Sequence, residues 1–278
     1  MALLLGGCSA TGVLATLTAS PKVETAKGLA YAPGPRHEID VYRPRAPGPH
    51  PVAVFLYGGG WDSGSRQEYR FIGQTLAAEG VLTFIPDYRL YPEVRYPTFL
   101  EDNALAVRWA KDHAAAYGGD PARLFLIGHS AGAYNAVMLS VDRRWLAAVG
   151  MDPRRDLRGT VGLAGPYDFL PLQSEELKII FGPEKTRPDT QPINHVDGLA
   201  PPLLLMDDSK DKVVDPGNAT RMAARVRAAG GRAQAQAVIL PGLSHALILG
   251  AMARPLRFLA PVNRKVMAFI AGEGGPAE

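Results

Sequence analysis

The 278-residue sequence contains a single cysteine, Cys8, so no disulfide can form within the chain. It has no dense block of lysine or arginine. Its 30 basic residues are interleaved with 27 acidic ones, for a formal net charge of +3. That argues against the clustered basic face on which nucleic-acid binding usually rests. Beyond a short apolar start, no run approaches the ~18 apolar residues of a membrane span. No His/Cys/carboxylate cluster has ligand spacing, so neither a metal nor a cofactor is expected. Residues 28–269 contain no repeat and no low-complexity linker, which argues for one domain. What remains is ordinary globular composition, 47% hydrophobic and 21% charged.

The hydrophobic pattern alternates between two periods. "HEIDVYRP" switches apolar and polar residue by residue, as a half-buried edge strand does. "PVAVFLYGGG" is a continuous apolar run stopped by glycines, the signature of a buried parallel strand. "EYRFIGQTLAAEG" and "TFLEDNALAVRWAKDHAAAYGG" have helical spacing and glycine stops. "VLTFIPDYRL", "RLFLIGH", "GTVGLAG", "PPLLLMDD" and "AQAVILPG" read as further strands. "AYNAVMLSV", "NATRMAARVRAAGG" and residues 261–271 read as helices. This order predicts an α/β fold: a mostly parallel central sheet with helices on both faces. In such a sheet, ligands sit beyond the carboxyl ends of the strands.

Four strand endings are therefore the places to look. The first is "GHSAG" at 128–132. A G-x-S-x-G turn between a strand and a helix forces the serine into strained dihedrals and lifts its hydroxyl clear of the sheet. The helix that follows aims its free N–H groups and positive dipole end at the same spot. Ser130 is thus the candidate nucleophile, and the Ala131 N–H lies where an oxyanion would form. A serine nucleophile needs a base, and the base needs an orienting acid. Of the histidines after Ser130, His245 follows the last strand, in "PGLSH", whereas His195 precedes the strand expected to carry the acid. Asp207, Asp208, Asp211 and Asp215 all cluster after that strand. The reach needed by the loop favours Asp211, with Asp207 and Asp208 capping the loop and Asp215 capping the next helix before Pro216. The fourth ending, "YGGGW" at 57–61, lets backbone N–H groups crowd a bound carbonyl oxygen.

Together these residues resemble the α/β-hydrolase fold, within the esterase/lipase group related to hormone-sensitive lipase and to bacterial feruloyl-esterase-like carboxylesterases. The resemblance runs from about Ile39 to Phe269 and includes "PDYRLYPEVRYPTFLEDNALAVRW" at 86–109, where Tyr88, Arg89 and Asp102 read as internal polar contacts. It implies a serine carboxylic-ester hydrolase acting through Ser130, His245 and Asp211 and an acyl-enzyme on small to medium esters. Backbone N–H groups of Gly59, Gly60 and Ala131 would form the oxyanion hole. An amidase or peptidase with the same triad, or a non-catalytic binding protein on the same fold, are the alternative readings. Three departures stand out. Tyr57 begins the oxyanion motif where histidine is usual. The residue before Ser130 is His129, not the acid usual in the hormone-sensitive-lipase branch. The acid loop reads "DDSKD" where relatives often carry a His-Gly pair first. Too few residues precede Ile39 for a cap domain, so the cap is minimal. Residues 168–196 are a candidate flap, and Trp61, Tyr167, Phe169 and Leu170 are candidate substrate-binding residues.

The start, "MALLLGGCSATG", resembles a bacterial lipoprotein cleavage site, although no Lys or Arg precedes its short apolar run. It implies residues 1–27 as signal, lipid-anchor segment and tether, and 28–278 as the hydrolase domain. Cys8 would be the lipidated residue, and the enzyme would be held by its lipid anchor facing the periplasm; the alternative reading is a disordered apolar tail on a cytoplasmic protein.

Overall fold

Strand β3 (His50–Leu56) shows how the layers arise. Along a pleated strand successive side chains point to opposite faces. Ala53 and Phe55 pack into one core with Tyr57 beyond them, while Val52, Val54 and Leu56 pack into another. A strand covered on both sides needs no polar alternation, which is why its sequence is continuously apolar. In the computed structural model, which describes residues 10–230 and 234–272, eight strands form one sheet. The others are β1 (Val23–Ala30), β2 (Glu38–Pro44), β4 (Leu82–Pro86), β5 (Gly119–His129), β6 (Gly159–Leu163), β7 (Leu203–Asp208) and β8 (Ala235–Leu240). The order is β1-β2-β4-β3-β5-β6-β7-β8. β1 and β2 are antiparallel to their neighbours, and the rest run parallel.

Helices cover both faces. They are α1 (Ala10–Thr18), α2 (Arg70–Ala78), α3 (Thr98–His113), α4 (Ala131–Val141), the short α5 (Arg143–Ala147) and α6 (Pro153–Asp156), α7 (Glu175–Ile180), α8 (Gly217–Ala229), α9 (His245–Gly250) and α10 (Val262–Ala271). Residues of α2 and α10 join the core that holds Phe55, and residues of α3 join the one that holds Val54. α4 is buried along its whole length, as its small and aliphatic sequence requires.

Two expectations change here. Residues 10–27, read as a tether, instead form α1 and the start of β1. α1 packs on α2, with Ala15 and Thr18 buried, and Gln74 of α2 accepts from the Ser20 N–H at 3.2 Å. β1 pairs with β2, so "HEIDVYRP" is an interior strand and not the edge. The composition hid β1 because an edge strand half-open to solvent keeps polar residues on both faces. Its register also slips between Ala26 and Leu29, where Gly28 takes a left-handed turn and donates to Asp40. Cys8 lies outside the described residues.

Candidate active site

The carboxyl ends of β3, β5 and β7, together with the loop after β8, bring the four sequence endings to one place. β5 ends in the elbow, where Ser130 has φ 54° and ψ −121°. The flanking glycines are required by space. A Cβ on Gly128 would lie 2.2 Å from the Gly132 carbonyl oxygen, and one on Gly132 would lie 2.0 Å from that of Leu56. Behind the serine, the Ser130 N–H donates to Leu163 of β6 at 2.9 Å, and its carbonyl accepts from Ala133 and Tyr134.

Ser130, His245 and Asp211 meet. His245 Nε2 is 2.8 Å from Ser130 Oγ, and Nδ1 is 2.7 Å from Asp211 Oδ2. Asp211 Oδ1 accepts the N–H groups of Val213 at 2.8 Å and Val214 at 3.0 Å. Burial alone would raise its pKa. The Val214 N–H, the His245 ring and the Val213 N–H outweigh that and hold the carboxyl below the usual range. An ionised Asp211 fixes the proton on Nδ1 and leaves Nε2 free to accept from the serine.

The other aspartates divide as follows. Asp208 caps its loop through the Lys210 N–H at 2.8 Å. It also accepts the Leu243 N–H at 2.7 Å, tying the loop that carries His245 to the end of β7. Asp215 accepts the Gly217 N–H at 3.0 Å, at the start of α8. Asp207 is wholly buried, and one of its oxygens accepts the Asp208 N–H.

Gly58 lies directly against the elbow: a Cβ there would be 2.9 Å from that of Ser130. Gly59 and Gly60 both have positive φ, and a Cβ on Gly59 would fall 2.3 Å from the Ser63 carbonyl oxygen. Gly60 and Ala131 line the cleft that Ser130 opens into. Ala131 opens α4, so its N–H has no acceptor within the helix. Tyr57, in place of histidine, braces this loop from behind. Its ring stacks between Tyr69 and Tyr88, with centroids 5.4 and 4.7 Å away. Its hydroxyl donates to Asp87 at 3.0 Å and accepts from Arg36 at 2.8 Å. Asp87 in turn pairs with Arg66, which also reaches Asp40 and Glu38. The packing behind the loop is a buried aromatic stack on an ion-pair network, which sequence reasoning did not foresee. Arg89 grips Asp102 with two bonds of 2.9 and 2.7 Å, and the Tyr88 hydroxyl donates to the Tyr57 carbonyl.

His129 was also missed as a functional candidate. It is buried, and burial together with nearby His245 lowers its pKa to about 4, so it is neutral. Its Nε2 is 3.0 Å from the His245 carbonyl oxygen, which only a ring N–H can satisfy, and this fixes the tautomer.

The cleft beside Ser130 has a volume of about 580 Å³. Trp61, Phe169, Leu170, Leu172 and Leu177 supply its apolar walls, and Asp168, Arg221 and Asp215 form an ion-paired rim. Trp61 is held by its indole N–H, which donates to Asn135 at 3.0 Å. Tyr167 does not line the cleft. Its ring turns under the sheet into the space left by Gly162 and Gly165, where added Cβ atoms would lie 2.0 and 2.4 Å from its hydroxyl. Residues 168–196 form a wall, stitched to the body where the Tyr134 hydroxyl donates to Thr190 and the Tyr96 N–H to Ile180. No group of three or more His, Cys, Asp or Glu side chains among the described residues is disposed to hold a metal ion.

Comparison with known proteins places the chain in a family. The BD-FAE family model matches residues 39–226, more than half of the chain. Esterase LipC of Mycobacterium tuberculosis is 31% identical over 269 residues, covering 87% of this chain and 66% of LipC. A probable isoprenylcysteine alpha-carbonyl methylesterase of Arabidopsis thaliana is 27% identical over 241 residues, covering 79% of this chain and 50% of its own. The chain thus spans between half and two thirds of the length of these relatives. Among solved structures, a truncated carbohydrate esterase from gut microbiota superposes with a TM-score of 0.77 at 18% identity, covering 92% of this chain and 98% of its own. A hyperthermophilic esterase from the archaeon Pyrobaculum calidifontis does so at 0.75 and 22% identity, covering 95% and 88%. At these identities the structural likeness speaks to the fold, and the family match carries the kinship. The chain belongs to the BD-FAE family, within the α/β-hydrolase carboxylesterase group.

Proposed function

We propose that the protein is a serine carboxylic-ester hydrolase of small to medium esters. The observation that carries this reading is the unbroken hydrogen-bond chain Ser130–His245–Asp211, set on a strained elbow at the mouth of an apolar cleft. Ser130 Oγ attacks the ester carbonyl while His245 Nε2 takes its proton. The new oxyanion is received by N–H groups of Gly59, Gly60 and Ala131. Each such donor is worth about 10²–10³-fold in kcat in comparable sites. His245 then returns the proton to the leaving alcohol, and water resolves the acyl-enzyme by the same route. Trp61, Phe169 and Leu170 form the apolar wall against which the acyl chain would lie. Relatives named as esterases and carboxylesterases support ester over amide as the substrate.

A series of p-nitrophenyl acyl esters alongside matched p-nitroanilides tests the reading. The esters are hydrolysed with a preference for short and medium chains, with the acyl group in the cleft beside Ser130. The anilides are slower by about 100-fold or more. Equal rates on the two series would make the protein an amidase.

We further propose that Cys8 carries a lipid anchor holding the protein at the periplasmic face of a bacterial membrane. The small residues before Cys8 and its being the only cysteine support this. Because α1 begins at Ala10, the domain would ride close to the lipid surface and not at the end of a long tether. Cys8→Ser expressed from the native upstream sequence moves the protein to the soluble fraction with unchanged kcat. Intact mass of the wild type showing an unmodified Cys8 would end the proposal.

A further inference from the structure

Asp207 lies near the end of β7, and its surroundings are unusual for a carboxylate. Its side chain is wholly buried. Oδ1 accepts the Asp208 N–H at 2.8 Å, but Oδ2 has no partner. The turn closed by the Asp211 N–H on the Asp208 carbonyl at 3.0 Å brings the carboxyl of Asp211, the residue that orients His245, close enough for its charge to weigh on Asp207. Two ionised carboxylates cannot hydrogen-bond each other, and burying both charges side by side is costly. A single proton between them removes both problems: the orphan Oδ2 gains a role as donor, and the repulsion disappears.

We propose that Asp207 is a positioning residue for the triad, a neutral carboxylic acid whose O–H donates into the Asp211 carboxylate. This rests on the reading of Ser130, His245 and Asp211 as the catalytic triad. The titratable groups that weigh on Asp207 come from three directions. Asp208 is on its own strand, and Asp211 is on the loop beyond. The Tyr167 hydroxyl comes from the loop after β6, itself buried without a partner. From β8 the paired residue is the apolar Ile239. His245, at the start of α9 beyond Asp211, can become cationic, but its Nδ1 is engaged by Asp211 and not by Asp207. Burial first, then the negative charge of Asp211, push its pKa up to about 8, against the opposing pull of the Asp208 N–H. With its proton, Asp207 becomes a fourth support for Asp211, after the two backbone N–H groups and the histidine. Without it, Asp211 loses a donor and gains a like charge beside it.

Asp207→Asn and Asp207→Leu separate this from a merely structural role. An asparagine can keep its carbonyl on the Asp208 N–H and present its NH₂ to Asp211, a permanent donor that does not titrate. In wild type, kcat for a p-nitrophenyl ester is expected to fall as the pH rises through about 8. Asp207→Asn retains kcat within ~3-fold at neutral pH and lacks that fall, whereas Asp207→Leu loses ~10-fold or more in kcat with KM unchanged. A wild-type profile flat through this range, or Asp207→Asn as damaging as Asp207→Leu, would overturn the proposal. A second measurement needs neither turnover nor a variant at 207. Infrared spectra of Ser130→Ala should contain a buried protonated-carboxyl C=O band at neutral pH that disappears as the pH passes through about 8. Absence of that band refutes the proposal even if the triad is correct. Full activity of Ser130→Ala would instead refute the triad.

Discussion

Ser130→Ala is expected to remove ester turnover, by about 10⁴-fold or more in kcat, while the protein stays folded. The hydroxyl is the only part of the residue that the chemistry uses. The backbone at 130 holds the elbow through the Leu163 carbonyl and the first bonds of α4, and alanine keeps all of these. Alanine also adopts the strained backbone with no more steric conflict than serine, so stability should change little. A fluorophosphonate probe should label the wild type at Ser130 and leave the variant unmodified. A pure, folded Ser130→Ala enzyme that hydrolyses esters at the wild-type rate would refute the assignment. The residual activity is informative too. The N–H groups and the cleft survive the mutation, so a rate somewhat above that in water should remain.

The site was legible in the sequence where its cause is local. The elbow needs glycines at fixed offsets because backbone atoms approach within van der Waals distance there, and spacing of that kind survives in one dimension. The same holds for β3 and β5, whose double-sided burial writes a continuous apolar run. Where the cause is tertiary, the sequence is silent. Tyr57 is locked by rings at positions 69 and 88, and no local pattern links these three. Tyr167 follows a strand ending and so reads as a cleft residue, yet two glycines leave a hole beneath the sheet that its ring fills. Asp207 looks like a loop cap. Only the folded chain shows that it is wholly buried and that its second oxygen has no donor in reach. β1 was lost for a different reason. An edge strand is half-solvated, so its composition is that of a tether, and only its pairing with β2 distinguishes it.

The choice among the acids carries the second large effect. Asp211→Asn should cut kcat by about 10⁴-fold, following the loss seen when an amide replaces a triad acid. Here the geometry supplies the reason. Asp211 Oδ1 accepts two backbone N–H groups, from Val213 and Val214, and Oδ2 accepts from His245. In the asparagine variant the carbonyl is pinned by the two N–H donors, because an NH₂ facing them would leave three donors without an acceptor. The NH₂ must therefore face His245 Nδ1. The imidazole then places its proton on Nε2 to accept that bond, and a protonated Nε2 cannot take the proton of Ser130. Asp208→Asn meets a different situation. Its oxygens accept the Lys210 and Leu243 N–H groups and touch neither His245 nor Ser130. Losing one of those bonds loosens the loop that carries His245, so kcat should fall by ~10-fold or less. The measurement is kcat of both variants on the same ester across the neutral pH range, with circular dichroism to confirm folding. A larger loss in Asp208→Asn than in Asp211→Asn would mean that the catalytic carboxylate lies one turn earlier, at the end of β7.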